Sequence, residues 1–281
     1  MFDWEDLRHF AALAREHTLS AAARGLKVDH ATVARRIAAL EASLGLKLVD
    51  RRPRSYVLTA DGERIAAQAA RMEEASFAVG RAVRAAQPVL AGEVSISAPP
   101  LLASTLIAPR LAELRDAHPG IHVRLIGEKR SASLSRREAD LAVRLSRPTE
   151  KRLVVRKIGT IEFRLYAAPR YLAAHEPGSF EFIGYDESLD DVPQQRWLKA
   201  AAGTRAIVLR TNDVDSQRAA ARAGVGIATL PRYLGDTDAA LVPLDLKMKS
   251  VTRDIWLVVH RDLRRAPPVR AVITFLVACF A

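Results

Sequence analysis

Between Thr18 and Gly45 the chain sets two short helical segments on either side of a turn of a few residues, an arrangement that few folds accommodate. Thr18-Leu19-Ser20 offers a cap before Ala21-Ala22-Ala23-Arg24, a helix expected to end at Gly25. The turn Leu26-Lys27-Val28-Asp29 follows, with Asp29 placed to cap a third helix, His30–Leu44, that stops before Gly45. Val33, Ile37, Leu40 and Leu44 recur at helical spacing and should face inward, which leaves His30, Ala31, Thr32, Arg35 and Arg36 outward. Ahead of this pair, Asp3–Glu16 gathers Trp4, Leu7, Phe10, Ala11, Leu13 and Ala14 on one side, the pattern of an amphipathic helix.

A short helix, a tight turn and a helix whose exposed N-terminal half carries small and basic residues suit insertion into a DNA major groove. Bulky side chains would meet the groove walls, whereas Thr and Arg reach base edges and phosphates. Lys47–Leu58 then reads as two short strands with a basic tip, and Arg51, Arg52 and Arg54 on that hairpin can straddle a neighbouring phosphate backbone. A three-helix cluster with arginines on a solvated face is the bland alternative, but the basic wing has no use in it. The N-terminal part is therefore read as a winged helix-turn-helix with duplex DNA as partner.

Residues 4–62, WEDLRHFAALAREHTLSAAARGLKVDHATVARRIAALEASLGLKLVDRRPRSYVLTADG, closely resemble the DNA-binding region of LysR-type transcriptional regulators. The LSAAA second helix, the TVARRIAALEASLGLKL third helix and the basic wing followed by LTADG stand in the family's order and spacing, and a looser resemblance extends over the whole chain. His30-Ala31 stand where the family usually has Gln-Pro, and Ala34 replaces a frequent Ser, so base preference is expected to differ.

Thr59-Ala60-Asp61-Gly62-Glu63 makes a capped start for a long helix without proline. Along it Ile65, Ala69, Met72, Ser76, Val79 and Val83 follow near-heptad spacing, a seam for a partner helix or for the protein's own body. In the family such a helix pairs antiparallel across a dimer, so the resemblance implies self-association as dimer or tetramer. Two copies would also double the phosphate contacts available to one.

From Gln87-Pro88 onward the pattern changes to short Val/Ile-rich runs, Glu93–Ala98, Ile121–Ile126, Leu141–Leu145 and Phe163–Ala167, alternating with helical stretches. That alternation predicts an α/β region with a mostly parallel sheet. Ser97 to Leu101 lie where a strand end faces a helix N-terminus, a place that can hold a polar ligand, and Glu128 and Arg144 lie at or just past other strand ends.

The resemblance implies two lobes like those of periplasmic solute-binding proteins (type 2), crossing over near residues 163 and 263, with the last helix returning to the first lobe. It places Ser97, Pro99, Leu101, Glu128, Arg144, Asn212 and Val225 around a cleft for a small-molecule effector. The division expected is a winged domain over 1–58, a linker helix over 59–88 and an effector domain over 91–281. Its first lobe covers about 91–163 and 264–281, and its second about 164–263.

Composition narrows the function further. The chain has 281 residues, 49% of them hydrophobic, enough for two or three domains. Its net charge of +11 favours polyanionic partners, yet residues 1–90 hold 14 Lys/Arg against 11 Asp/Glu and residues 91–281 hold 29 against 21. The excess is therefore not concentrated in the winged part, and the nucleic-acid reading rests on where individual charges lie. The lone Cys279 excludes an internal disulfide and a CxxC site, which fits a reducing cytoplasm.

The start Met1-Phe2-Asp3-Trp4-Glu5-Asp6 is acidic where a signal peptide would be basic. No apolar run approaches the roughly 20 residues that cross a bilayer, so no membrane partner is expected.

No HExxH, GxSxG or phosphate-loop motif occurs, and Gly224-Val225-Gly226 lacks the third glycine of a dinucleotide fingerprint. Pro119-Gly120 separates His118 from His122, which keeps them off one helix face. The reading is a regulator without catalytic residues, metal or cofactor. Its rival is a solute-binding protein or cleft enzyme whose N-terminal helices serve only assembly, a role that would not need the basic wing or the Thr32/Arg35/Arg36 face.

Overall fold

The computed structural model describes residues 1–52, 55–86, 89–128, 139–150, 152–246, 248 and 250–280, with the backbone alone for 51, 52, 55 and 84–86. Met1–Ala86 forms one compact unit, and the chain from residue 89 forms a second.

In the first unit α1 (Trp4–Glu16), α2 (Leu19–Leu26) and α3 (His30–Leu44) are followed by the antiparallel pair β1 (Val49–Arg52) and β2 (Ser55–Leu58) and the long α4 (Ala60–Ala86). Each short helix begins on a side-chain cap, which satisfies amide groups that a helix start otherwise leaves without partners. Asp3 accepts from Glu5 N, Thr18 from Ala21 N and Asp29 from Thr32 N. Helix α2 runs one residue past Gly25, and the left-handed position falls on Lys27, at φ 56°, instead of on the glycine. The Lys27 amide then reaches back to the Ala23 and Arg24 carbonyls, which closes the turn.

The unit is held together by Phe10, Leu13, Ala22, Val33, Ile37 and Leu40, all buried. Leu44, the last member of the predicted inward stripe, packs at the margin of that core. Glu41 on α3 accepts from the Leu48 and Val49 amides at 2.8 and 3.0 Å, so the recognition helix itself anchors the first wing strand. At the start of α4, Gly62 lies so close to the Leu48 carbonyl that any Cβ would overlap it. Ala69 is buried against the same core with Ile65 and Ala66 beside it, whereas Met72, Val79 and Val83 further along the helix are exposed.

The second unit is built on one mixed sheet. Its strands are β3 (Gly92–Ala98), β4 (Ile121–Gly127), β5 (Leu141–Arg144), β6 (Leu153–Ala167), β7 (Phe182–Gly184), β8 (Ile207–Arg210), β9 (Ile227–Pro231), β10 (Val242–Leu244) and β11 (Val251–His260). Among the described residues the order is β4-β3-β5-β11-β6-β9-β7-β8, with β10 also on β6.

The expected mostly parallel sheet proves to be two parallel triplets, β4-β3-β5 and β9-β7-β8, joined by antiparallel pairing of the two longest strands, β6 and β11. Those two strands run between the lobes and are antiparallel to each other and to their neighbours. β6 meets β9 from Phe163 onward. Ile255 and Leu257 of β11 belong to the first lobe's core.

The first lobe buries Ile96, Leu102, Ile107, Leu141, Val143 and Leu257 against the terminal α11 (Pro267–Cys279) through Val272 and Leu276. The helical stretch after β3 is broken into α5 (Pro100–Leu102), a π turn at Ala103–Ile107, a 3-10 turn at Ala108–Arg110 and α6 (Leu111–Ala117). Pro109 accounts for this, since it has no N–H to give and its ring crowds the preceding turn.

In the second lobe α7 (Pro169–Ala174), α8 (Pro193–Ala202), α9 (Val214–Arg222) and the short α10 (Arg232–Gly235) cover the sheet. One cluster gathers Leu165, Phe182 and Leu198, and another gathers Tyr166, Ile183 and Leu230. The strand ends that carry loops toward the other lobe are the carboxyl ends, as in other open α/β sheets with a topological switch.

Candidate nucleic-acid interface and ligand cleft

The α3 cap sets the geometry of the first site. Asp29 Oδ1 accepts from Thr32 N at 2.6 Å, and Thr32 Oγ1 donates to Asp29 Oδ2 at 3.2 Å, so the helix starts rigidly where it would enter a groove. These hydrogen bonds, with Arg35 adding a smaller attraction, hold the Asp29 carboxyl below its ordinary value. His30, Ala31 and Arg35 are exposed and Thr32 is half-buried. Arg36 behaves differently: its Nη1 donates to Asp6 Oδ1 at 3.0 Å and lies 3.5 Å from Asp3 Oδ2. Asp6 is buried on α1, so Arg36 ties the recognition helix to the first helix.

On the wing, Arg51 lies opposite Tyr56 and Arg52 opposite Ser55 in the β1–β2 register. The Arg51 and Arg52 side chains and the whole of Arg54 lie outside the described residues.

The second site is a cleft of about 300 Å³ in the second unit, between the carboxyl ends of the two parallel triplets. Pro99, Leu101, Glu128, Arg144 and Asn212 line it. Ser97 and Val225 do not: Ser97 is fully buried behind Arg144, and Val225 is exposed on the turn between α9 and β9. Ser97 holds the arginine in place, since Nη2 of Arg144 donates to Ser97 Oγ at 3.1 Å while Nη1 donates to the carbonyls of Ser97 and Val143 at 3.1 and 2.8 Å. Burial pulls the Arg144 guanidinium below its ordinary value, and the Glu128 charge works against that shift.

Polar cleft residues that escaped the sequence reading include Tyr185, Gln194, Asp213, Asp215, Tyr233 and Arg253. Arg253 lies on β11, and it donates to Gln194 Oε1 at 2.9 Å and to the Leu145 carbonyl at 2.7 Å. A signal for it did exist, because Val251, Arg253 and Ile255 alternate on one face of a strand, and Ile255 faces core. Burial raises the Tyr185 and Tyr233 hydroxyls above the ordinary tyrosine value, so both stay protonated. Among the described residues no group of His, Cys, Asp and Glu could hold a metal ion. Among those residues, too, no helix is long and apolar enough to cross a membrane.

Residues 4–63 match the family model described as "Bacterial regulatory helix-turn-helix protein, lysR family", and residues 88–281 match that of the "LysR substrate binding domain". The Mau operon transcriptional activator of Paracoccus denitrificans is 28% identical over 287 residues, covering 99% of this chain and 97% of that one. The AhcY transcriptional activator HvrB of Rhodobacter capsulatus is 31% identical, covering 92% and 85%. In fold, the full-length virulence activator AphB of Vibrio cholerae, a member of the LTTR protein family, superposes with a TM-score of 0.64 at 23% identity over the whole of both chains. These relatives are transcriptional regulators and not enzymes. With two family models accounting for nearly the whole length, the chain belongs to the LysR family of transcriptional regulators, with a helix-turn-helix DNA-binding domain followed by a substrate-binding effector domain.

Proposed function

We propose that this regulator reads a dyad-related operator with α3, His30, Ala31, Thr32 and Arg35 facing the major groove and Arg51, Arg52 and Arg54 of the wing on flanking phosphates. The division that goes with it is a reader over 1–58, a linker helix over 59–88 and an effector region from 91 on. Arg36 enters this reading mainly as the brace between α3 and α1. The single observation that carries it is the opposition of faces on α3: Val33, Ile37 and Leu40 are buried while His30, Ala31 and Arg35 remain exposed beside a capped helix start.

Self-association, as a dimer or a tetramer, uses the exposed stripe Met72, Val79 and Val83 of α4. A small molecule in the cleft, touched by Pro99, Leu101, Glu128, Arg144 and Asn212, shifts the lobes and with them the spacing of the two readers; Ser97 acts through Arg144. The protein works in the cytoplasm, where its operator is.

Fluorescence anisotropy with the DNA upstream of the encoding gene tests the reading. Specific binding with a steep fall in affinity as salt rises is expected. Equal affinity for that fragment and for random DNA would sink it and favour a cleft protein whose helices serve only assembly.

A further inference from the structure

Arg253 is the residue of the cleft whose charge the protein leaves unanswered. Its two described hydrogen bonds both go to neutral acceptors, the Gln194 side chain on α8 in the second lobe and the Leu145 carbonyl at the end of β5 in the first. Among the described residues it makes no ion pair; burial lowers its pKa and the Tyr185 hydroxyl beside it works against that shift. A guanidinium has five N–H donors, so three remain after these two bonds. Gln194 is itself buried, so the group is held rigidly from both lobes.

Arg144, the buried cation of the cleft, differs from the half-buried Arg253 in both respects. Arg144 spends three hydrogen bonds on Ser97 and Val143, and the Glu128 carboxylate lies close enough to act on its charge.

Two more polar atoms in the cleft wait for partners. Glu128 Oε2 is buried, and no described residue donates a hydrogen bond to it. The Tyr233 hydroxyl is buried beside Thr105 without a well-formed hydrogen bond. An ionised carboxylate only accepts, so Glu128 calls for a ligand group that donates. Leaving such an atom dry and unpaired is costly, whereas filling it selects strongly for the complementary group. The rest of the lining includes Leu101, Ile161, Phe163 and Val192, which suit an apolar body. A cavity of about 300 Å³ lies at the small end of ligand sites, so the molecule is metabolite-sized.

We infer that the effector is a small monocarboxylate with an apolar body and one hydrogen-bond donor, a hydroxyl or amine, its carboxylate received by Arg253 and its donor by Glu128. The inference rests on the effector role given above to the cleft and names the ligand class. Asp213 and Asp215 also line the cleft, but Asp213 accepts from Ser216 as the α9 cap and Asp215 lies 3.3 Å from Arg218, so the one unanswered cation, Arg253, matches one negative charge. A dicarboxylate or a phosphate brings a second charge that finds Arg144 already answered by Glu128. The carboxylate gains its charge-assisted bonds at a group held by both lobes at once, so its binding depends on how the lobes stand.

The test uses the full-length protein and four matched sets of probes. The acids are 4-hydroxyphenylacetate, mandelate, 2-hydroxyhexanoate and phenylalanine. Their primary amides, the parent acids without the hydroxyl or amine, and the dicarboxylates adipate and phthalate complete the sets. Thermal shift and calorimetry should find stabilisation within the first set, weaker binding of the parent acids, and none by amides or dicarboxylates. Arg253→Met should weaken the binding acid about 30-fold or more, as expected when one partner of a desolvated charged hydrogen bond is removed. Arg253→Lys, which keeps the charge but not the fork, should fall between. Glu128→Gln should erase the preference over the parent acid. An unchanged ligand-free melting transition and circular dichroism spectrum certify that each variant is folded.

Equal stabilisation by amides, preference for dicarboxylates, unchanged affinity in Arg253→Met, or no binding within the first set would each overturn the assignment. If neutral or dicarboxylate probes instead bind and shift operator affinity, the cleft remains an effector site and only the ligand class falls. An acid that binds through Arg253 without altering operator affinity leaves the class standing and removes the effector role.

Discussion

Adjacent arginines on α3 do different work. Arg35 is exposed, whereas Arg36 reaches back to Asp6 and Asp3. Arg35→Ala should therefore leave thermal stability unchanged and weaken operator binding by about 1–3 kcal/mol, read by anisotropy against single-base operator variants. Arg36→Ala should destabilise the first unit by about 1–2 kcal/mol in urea melts, since the pair is part-exposed but strands a buried Asp6. Equal stability of the two variants would refute the brace.

Asp29 gives a pH signature. Its folded pKa is depressed below the ordinary 3.8, so its contribution is full above that value and disappears as pH falls through the folded pKa. Asp29→Ala should consequently lower Tm near neutrality and lose its effect in acid, while Asp29→Asn keeps most of the cap. Both arginines belong to one run in the sequence, and periodicity put both outward. What separates them is contact with a helix thirty residues earlier, which no local pattern encodes.

At the scale of elements, α4 changes character along its length. Ile65, Ala66 and Ala69 belong to the first unit's core, and beyond them Met72, Val79 and Val83 are left in solvent. Val79→Glu with Val83→Glu should leave the monomer folded and reduce dimer content at micromolar concentration, followed by analytical ultracentrifugation, because like charges would face each other across a paired seam. An unchanged dimer would place the interface elsewhere.

The heptad spacing was visible in the sequence, as were the Thr18 and Asp29 caps, whereas Asp3, read as part of the first helix, proved to be its cap. The end of α2 was not visible, since it depended on Lys27 accepting a left-handed backbone that glycine would adopt more cheaply. The π turn after α5 was likewise hidden, although Pro109 is its local cause.

For the molecule as a whole, the join between β3 and β5 is a place where a single side chain holds distant segments together. Asp140 Oδ2 accepts from the Ser95 amide and hydroxyl at 2.9 and 2.8 Å, and the Ser95 hydroxyl accepts from the Asp140 amide at 3.0 Å, all of it buried. Asp140→Ala should cost about 2–4 kcal/mol in denaturant melts, because it strands buried donors on β3. A loss confined to a few tenths would mean water replaces the carboxylate. The mixed sheet belongs to the same scale: the two lobes share β6 and β11, which pair antiparallel with each other and with β5 and β9.

The sequence by itself determined the reader, because caps, helical periodicity and turn chemistry are local and each signal lies within a few residues of the structure it specifies. It also determined that β3, β4 and β5 exist and that Pro99, Leu101, Glu128 and Arg144 stand near their carboxyl ends. Only the tertiary structure decided what faces the cleft. It withdrew Ser97 behind Arg144 and left Val225 on the surface, and it brought Arg253 from the far end of the chain between Gln194 and Leu145. The physical reason is that a side chain's neighbours across a sheet are set by strand order and register, and these are properties of the whole core.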